Sequence, residues 1–94
     1  MLTEIRKLKI ENQGHERKAS SHRMYINADN IISITDYDAI KSFLVSEGVQ
    51  EFFKESFSLI KLSAGNKTDD IIAFGTADEV YSSIRSPKKG LLNE

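Results

Sequence analysis

The sequence predicts an α+β domain: a small, mostly antiparallel β-sheet of about five strands, with a central helical insertion and a C-terminal helix packed on one face. Three observations predict it. Short apolar and β-branched runs recur near 2–12, 24–26, 31–35, 57–62 and 71–74. The spacing becomes helical at Ile40, Phe43 and Leu44, which share one helix face. Thr76 and Glu79 then form the Ser/Thr-x-x-Glu signature of a helix start.

Taken in order, the elements read as follows. "LTEIRKLKIEN" alternates, with Leu2, Glu4, Arg6, Leu8 and Ile10 on one side and Lys7 and Lys9 on the other, which suits an edge or solvent-facing strand. The stretch 13–23 is polar and aperiodic and is expected to be a mobile loop. "RMYIN" and "NIISITDY" are two strands; in the second, Ile32 and Ile34 share a face and Ile31, Ser33 and Thr35 the other. Asn27-Ala28-Asp29-Asn30 between them is a corner, because Asn and Asp side chains bond nearby backbone amides. Asp38 can cap the following helix, and Gly48 should end it. "VQEFFKES" repeats the spacing as a second short helical piece, with Phe52 and Phe53 more suited to a core than to a ligand.

The segment 57–74 reads as a hairpin of central strands with apolar residues on both faces, turning at Gly65-Asn66. Val80, Tyr81 and Ile84 make the inward stripe of the last helix, which Pro87 should terminate. One domain, residues 1–86, and a tail, 87–94, follow from the length and this pattern.

Composition limits the function. With 39% hydrophobic and 29% charged residues, the chain has enough apolar side chains to build a core. No apolar run approaches the roughly 20 residues of a spanning helix, and "MLTEIRKLKI" lacks the apolar core of a signal peptide. A cytoplasmic protein without membrane association is the expectation. There is no cysteine, so neither disulfides nor thiolate metal sites hold the fold.

The net charge of -1 hides an asymmetry: residues 1–23 carry six Lys/Arg against three acids, and residues 28–56 six acids against two lysines. No phosphate loop or dinucleotide fingerprint occurs, and no serine sits in a Gly-x-Ser-x-Gly elbow. His15 and His22 fall in the polar stretch, too few for a metal site that needs three or four ligands. The acidic pairs Asp36/Asp38, Asp69/Asp70 and Asp78/Glu79 border turns or helix starts, where acids act as caps. Neither a cofactor nor an enzymatic activity is expected.

Two resemblances rest on short motifs. "IRKLKIENQG", "YINADNIISI", "LIKLSAG" and "TADEVYSSI" occur in an order that resembles the small flagellar FlbD/SwrD-like proteins. "NADNIISI", "IKSFLVSEG" and "LIKLSAGNKT" are similar to the strand–helix–strand order of RemA-like DNA-binding regulators, a likeness that implies ring-shaped oligomers and an arginine-rich DNA loop. Both imply a small regulatory or interaction module.

The sequence therefore points to a non-catalytic protein-binding module, a small regulator or inhibitor, with a phage or other mobile element among its expected sources. Lys7, Lys9, Tyr37, Phe52 and Phe53 are its candidate contact residues. The alternative is a nucleic-acid-binding regulator in which Arg6, Lys9, Arg17, Lys18 and Arg23 line one face and meet phosphates. Apolar residues on both faces of the central strands make a homodimer the expected assembly.

Overall fold

The computed structural model describes residues 1–85; the expected tail and its Pro87 lie outside the described residues. Five strands form one antiparallel sheet: β1 (Leu2–Gln13), β2 (Glu16–Asn27), β3 (Ile31–Asp36), β4 (Phe57–Ala64) and β5 (Lys67–Phe74). Two α-helices complete it, α1 (Ala39–Ser46) and α2 (Ala77–Arg85). The spatial order is β2-β1-β5-β4-β3, so the α+β architecture with a central helix and a C-terminal helix is as the sequence predicts.

Two hairpins dominate, and both turn the same way. Gln13 pairs with Glu16, and Ala64 with Lys67, so each loop is two residues, Gly14-His15 and Gly65-Asn66. Gly14 has φ +66° and Gly65 φ +68°, while neither following residue has a positive φ. Glycine first with φ > 0 is the type II′ pattern, whose twist matches that of the strands. The expected loop at 13–23 is therefore a turn of two residues followed by unbroken strand. Its side chains are polar because much of this hairpin faces water. Strand β1 is likewise not an edge: it lies between β2 and β5, and Lys7 pairs with Ala73.

The sheet is curled. Only Ala28–Asn30, a 3-10 turn, separates β2 from β3, yet these are the two edges of the sheet. Five flat strands would set the edges about 19 Å apart, whereas the steps from Asn27 to Ile31 reach about 14 Å at most. Ile26 of β2 accordingly shares a core with Ile31 and Ile34 of β3. The Asn27 corner is built as its residues suggest: Asn27 Oδ1 accepts a hydrogen bond from the Asp29 amide at 3.0 Å.

Each side of the sheet holds its own core. On one side Ile5, Ile26, Ile60, Ile71 and Ala73 pack with Val80 of α2. On the other, Leu8, Phe57 and Phe74 pack with Ile40 and Leu44 of α1 and with Val49. β4 and β5 supply both, as their two-sided apolar pattern requires. In β3 the alternation fails. A bulge between Ile31 and Ser33 inserts one residue, so Ile31 and Ile34 both pack on the α2 side and Ile32 is left exposed.

The helix ends follow local chemistry with some departures. Gly48, with φ +80°, ends α1; its amide donates to the Val45 carbonyl at 3.0 Å and the Val49 amide to that of Leu44 at 2.9 Å. This is a Schellman arrangement, and Leu44 and Val49 supply its apolar contact. Asp38 sits at the N-cap of α1 but makes no capping bond. Residues 51–54 form turns, not a second helix. Tyr81 is exposed beneath the Arg85 guanidinium, so Val80 and Ile84, four apart, form the inward stripe of α2 without it. Among the described residues no helix is long and apolar enough to cross a membrane.

Candidate interaction surface

The β1–β2 register decides where every basic candidate points. Residues opposed across an antiparallel pair share a face, and neighbours along a strand alternate. Arg6 opposes Arg23, and Asn12 opposes Arg17; Lys7, Lys9 and Glu11 oppose His22, Ser20 and Lys18. Arg6, Arg17 and Arg23 therefore project on the α1 side, and Lys7, Lys9 and Lys18 on the α2 side. The five residues expected to line one face are divided between two. The cause is parity: 6, 17 and 23 fall together only once the turn at Gly14-His15 sets the pairing.

On the α1 side the upper hairpin is covered. Leu8, Ile10 and Ala19 lie in the core beneath α1. Arg17 is held there, its Nε 3.3 Å from Glu47 Oε1 and its guanidinium 5.4 Å from the Phe43 ring centre. The basic N-terminal region and the acidic middle of the chain thus meet within one molecule.

The lower hairpin on that side is open. Tyr25 is 56% exposed and Leu2 67%. Arg6 and Arg23 stand directly opposite each other beside them. Arg6 lies 4.3 Å from the Phe74 ring centre, and its Nε donates to Ser21 Oγ at 3.0 Å. Those contacts keep the guanidinium in place while like charges remain opposed, an arrangement that costs free energy in the isolated chain. Arginine and tyrosine together are the residue types enriched at protein-binding hot spots.

The five residues singled out for protein binding do not form one surface. Lys7 is half-buried, and Lys9 is paired with Glu11 at 3.3 Å on the α2 side. Tyr37 and Phe52 pack against the α1-side core; Phe52 meets Phe74 edge-on with centroids 5.0 Å apart. Phe53 is 58% exposed. Leu2 and Tyr25 were not legible as site residues, because two isolated apolar side chains carry no signal until the register sets them beside Arg6 and Arg23.

The α2 side offers less. Ser20 Oγ and His22 Nε2 are 2.9 Å apart on the open strand surface. A serine beside a histidine is the start of a nucleophile–base pair, but a third group must orient the histidine. The register places lysines, Lys9 and Lys7, opposite these two residues. A shallow concavity on α2 is lined by Asp78, Glu79, Ser82 and Ser83. Among the described residues no group of three or more His, Asp or Glu side chains is placed to hold a metal ion. No family model matches the chain, and neither any curated protein nor any solved structure does.

Proposed function

We propose that the protein is a non-catalytic protein-binding module, a small regulator that acts by contact. The observation that supports this reading is the opposed Arg6–Arg23 pair with exposed Tyr25 and Leu2 beside it. A partner presenting a carboxylate next to apolar surface would relieve the like-charge opposition and cover the tyrosine. Phe53 is a further exposed aromatic ring. Lys7 and Lys9 lie on the other side and play no part in this contact. The cytoplasm is the proposed compartment, which the absence of cysteine fits without requiring.

A second reading has one observation in its favour: three arginines, Arg6, Arg17 and Arg23, share a face. Phosphates of a nucleic acid would satisfy them equally well, with affinity falling steeply as salt rises. Arg17 is already engaged by Glu47, which leaves Arg6 and Arg23 without an acidic partner among the described residues.

The test is affinity capture from native lysate with the intact protein and with an Arg6→Ala/Tyr25→Ala variant of equal fold. A protein retained after nuclease treatment, and held at least about tenfold less by the variant, supports the contact surface. Loss of all bound material on nuclease treatment supports the second reading. Equal capture by both proteins refutes the proposed surface.

A further inference from the structure

The outer edge of β2 goes beyond that reading. β2 is twelve residues long, pairs with β1 from Asn27 to Glu16 without a break, and contains neither proline nor glycine. Among the described residues no strand pairs with its other side. The opposite edge of the sheet is different: β3 has six residues and a bulge, a common way of blunting an edge. A long, regular edge of this kind is a template for another strand.

We propose that β2 pairs antiparallel with β2 of a second copy, about a two-fold axis at Ser21, making one continuous sheet. The backbone selects the register. A two-residue hairpin loop is closed by a hydrogen-bonded pair, here Gln13 and Glu16, and such pairs then alternate along the ladder. Glu16, Lys18, Ser20, His22, Met24 and Ile26 therefore bond to β1. Arg17, Ala19, Ser21, Arg23 and Tyr25 turn their N–H and C=O groups outward, and Asn27 follows them at the end of the strand, where the 3-10 turn begins. Only outward residues can form hydrogen-bonded pairs across the new interface, so inward residues such as Ser20 and His22 can face only inward residues of the second copy, in non-hydrogen-bonded pairs.

Side chains choose among the registers that remain. Centring on Ser21 sets Arg17 opposite Tyr25 of the second copy, Ala19 opposite Arg23, and Ser21 opposite itself. The five outward residues before Asn27 are then all used, giving about ten backbone hydrogen bonds, two for each of five pairs. Arg17 gains the exposed Tyr25 ring as a cation–π partner, and no like charges oppose. Centring on Ser20 would oppose Arg17 and Arg23 twice over, which is destabilising. Centring on His22 would oppose the two His22 side chains and set Arg17 against Asn27, where β2 ends and the 3-10 turn begins. Small side chains at the centre, Ala19, Ser20 and Ser21, also let the two strands approach closely.

Sedimentation of the intact protein over about 1–100 μM tests the pairing, and a dimer is expected. Ser21→Pro removes an N–H that β1 does not use, so the fold should survive by circular dichroism while the dimer is lost. Ser21→Ala removes only the bond to Arg6 and should stay dimeric. The register has its own test. The chain has no cysteine of its own, and Ser20 and His22 of the other copy form a close, non-hydrogen-bonded pair. A mixture of the Ser20→Cys and His22→Cys proteins should form a mixed disulfide faster than either alone. A monomer throughout that range, a dimer that survives Ser21→Pro, or cross-linking no faster in the mixture overturns the proposal.

Discussion

Asp36 and Ala77, 41 positions apart, are joined by a 2.8 Å hydrogen bond from the Ala77 amide to the Asp36 carboxylate. The last residue of β3 thereby satisfies the first amide of α2. The Glu79 carboxylate takes the Thr76 amide at 2.8 Å, and Thr76 Oγ1 takes the Glu79 amide at 3.1 Å. Three of the donors that a helix start leaves free are thus accounted for. Two belong to the local capping box and one is supplied by a distant strand.

Asp36→Ala should lower stability by about 1 kcal/mol, the usual size of a lost cap. Asp36→Asn keeps an acceptor and should lose clearly less. Urea unfolding at unchanged slope reads both. An Asp36→Ala protein as stable as the wild type would show that this tertiary cap contributes nothing.

Gly75, between β5 and the capping box, has φ +113°. A Cβ there would sit 3.5 Å from the Val80 and Glu79 side chains, which is ordinary contact, so the obstacle is the backbone angle. Gly75→Ala should cost about 1–3 kcal/mol through that strain. A shift in thermal midpoint of several degrees is expected for a domain this small; an unchanged midpoint would contradict it.

Ser58 is completely buried in β4, and its Oγ has no hydrogen-bond partner among the described residues. Removing an unsatisfied buried hydroxyl recovers its desolvation cost. Ser58→Ala should therefore be neutral or more stable, by up to about 1 kcal/mol. Its neighbour Phe57→Ala should lose about 3–5 kcal/mol, because a large buried ring leaves a cavity. Chemical denaturation of both variants checks the contrast, and a marked loss in Ser58→Ala would reveal a partner for the hydroxyl.

Arg17 and Glu47 join the hairpin to the C-terminal end of α1 across a 3.3 Å ion pair whose side chains are 39% and 35% exposed. Solvent screens such a pair, so a double-mutant cycle should give a coupling of under about 1 kcal/mol that shrinks in high salt. Arg17→Ala alone should cost more than that coupling, since its stem and guanidinium also lie against Phe43. A coupling that exceeds the single-variant loss would reverse this ordering.

Local chemistry was legible from the residues alone. The Thr76/Glu79 box, the Asn27 corner, the Gly48 stop and the Gly65-Asn66 turn each depend on neighbours within a few positions, and each forms as the residues suggest. The two-sided strands β4 and β5 were equally plain, because their apolar runs admit no other burial. The stretch 13–23 was not, since its mostly polar side chains carry no apolar period; Gly14 was the signal that β1 turns back on itself there. Ile32 misled for a related reason, because a single inserted residue reverses every later side chain in a strand and leaves no mark in composition.

What the sequence determined by itself is the kind of domain and the chemistry of its bends and helix ends, because those energies act over a few bonds. Only the tertiary structure decided which charges share a face, which arginine is held by Glu47, and which strand edge is open. Strand pairing and sheet curl set those relationships between residues far apart in the chain, and no local preference encodes them.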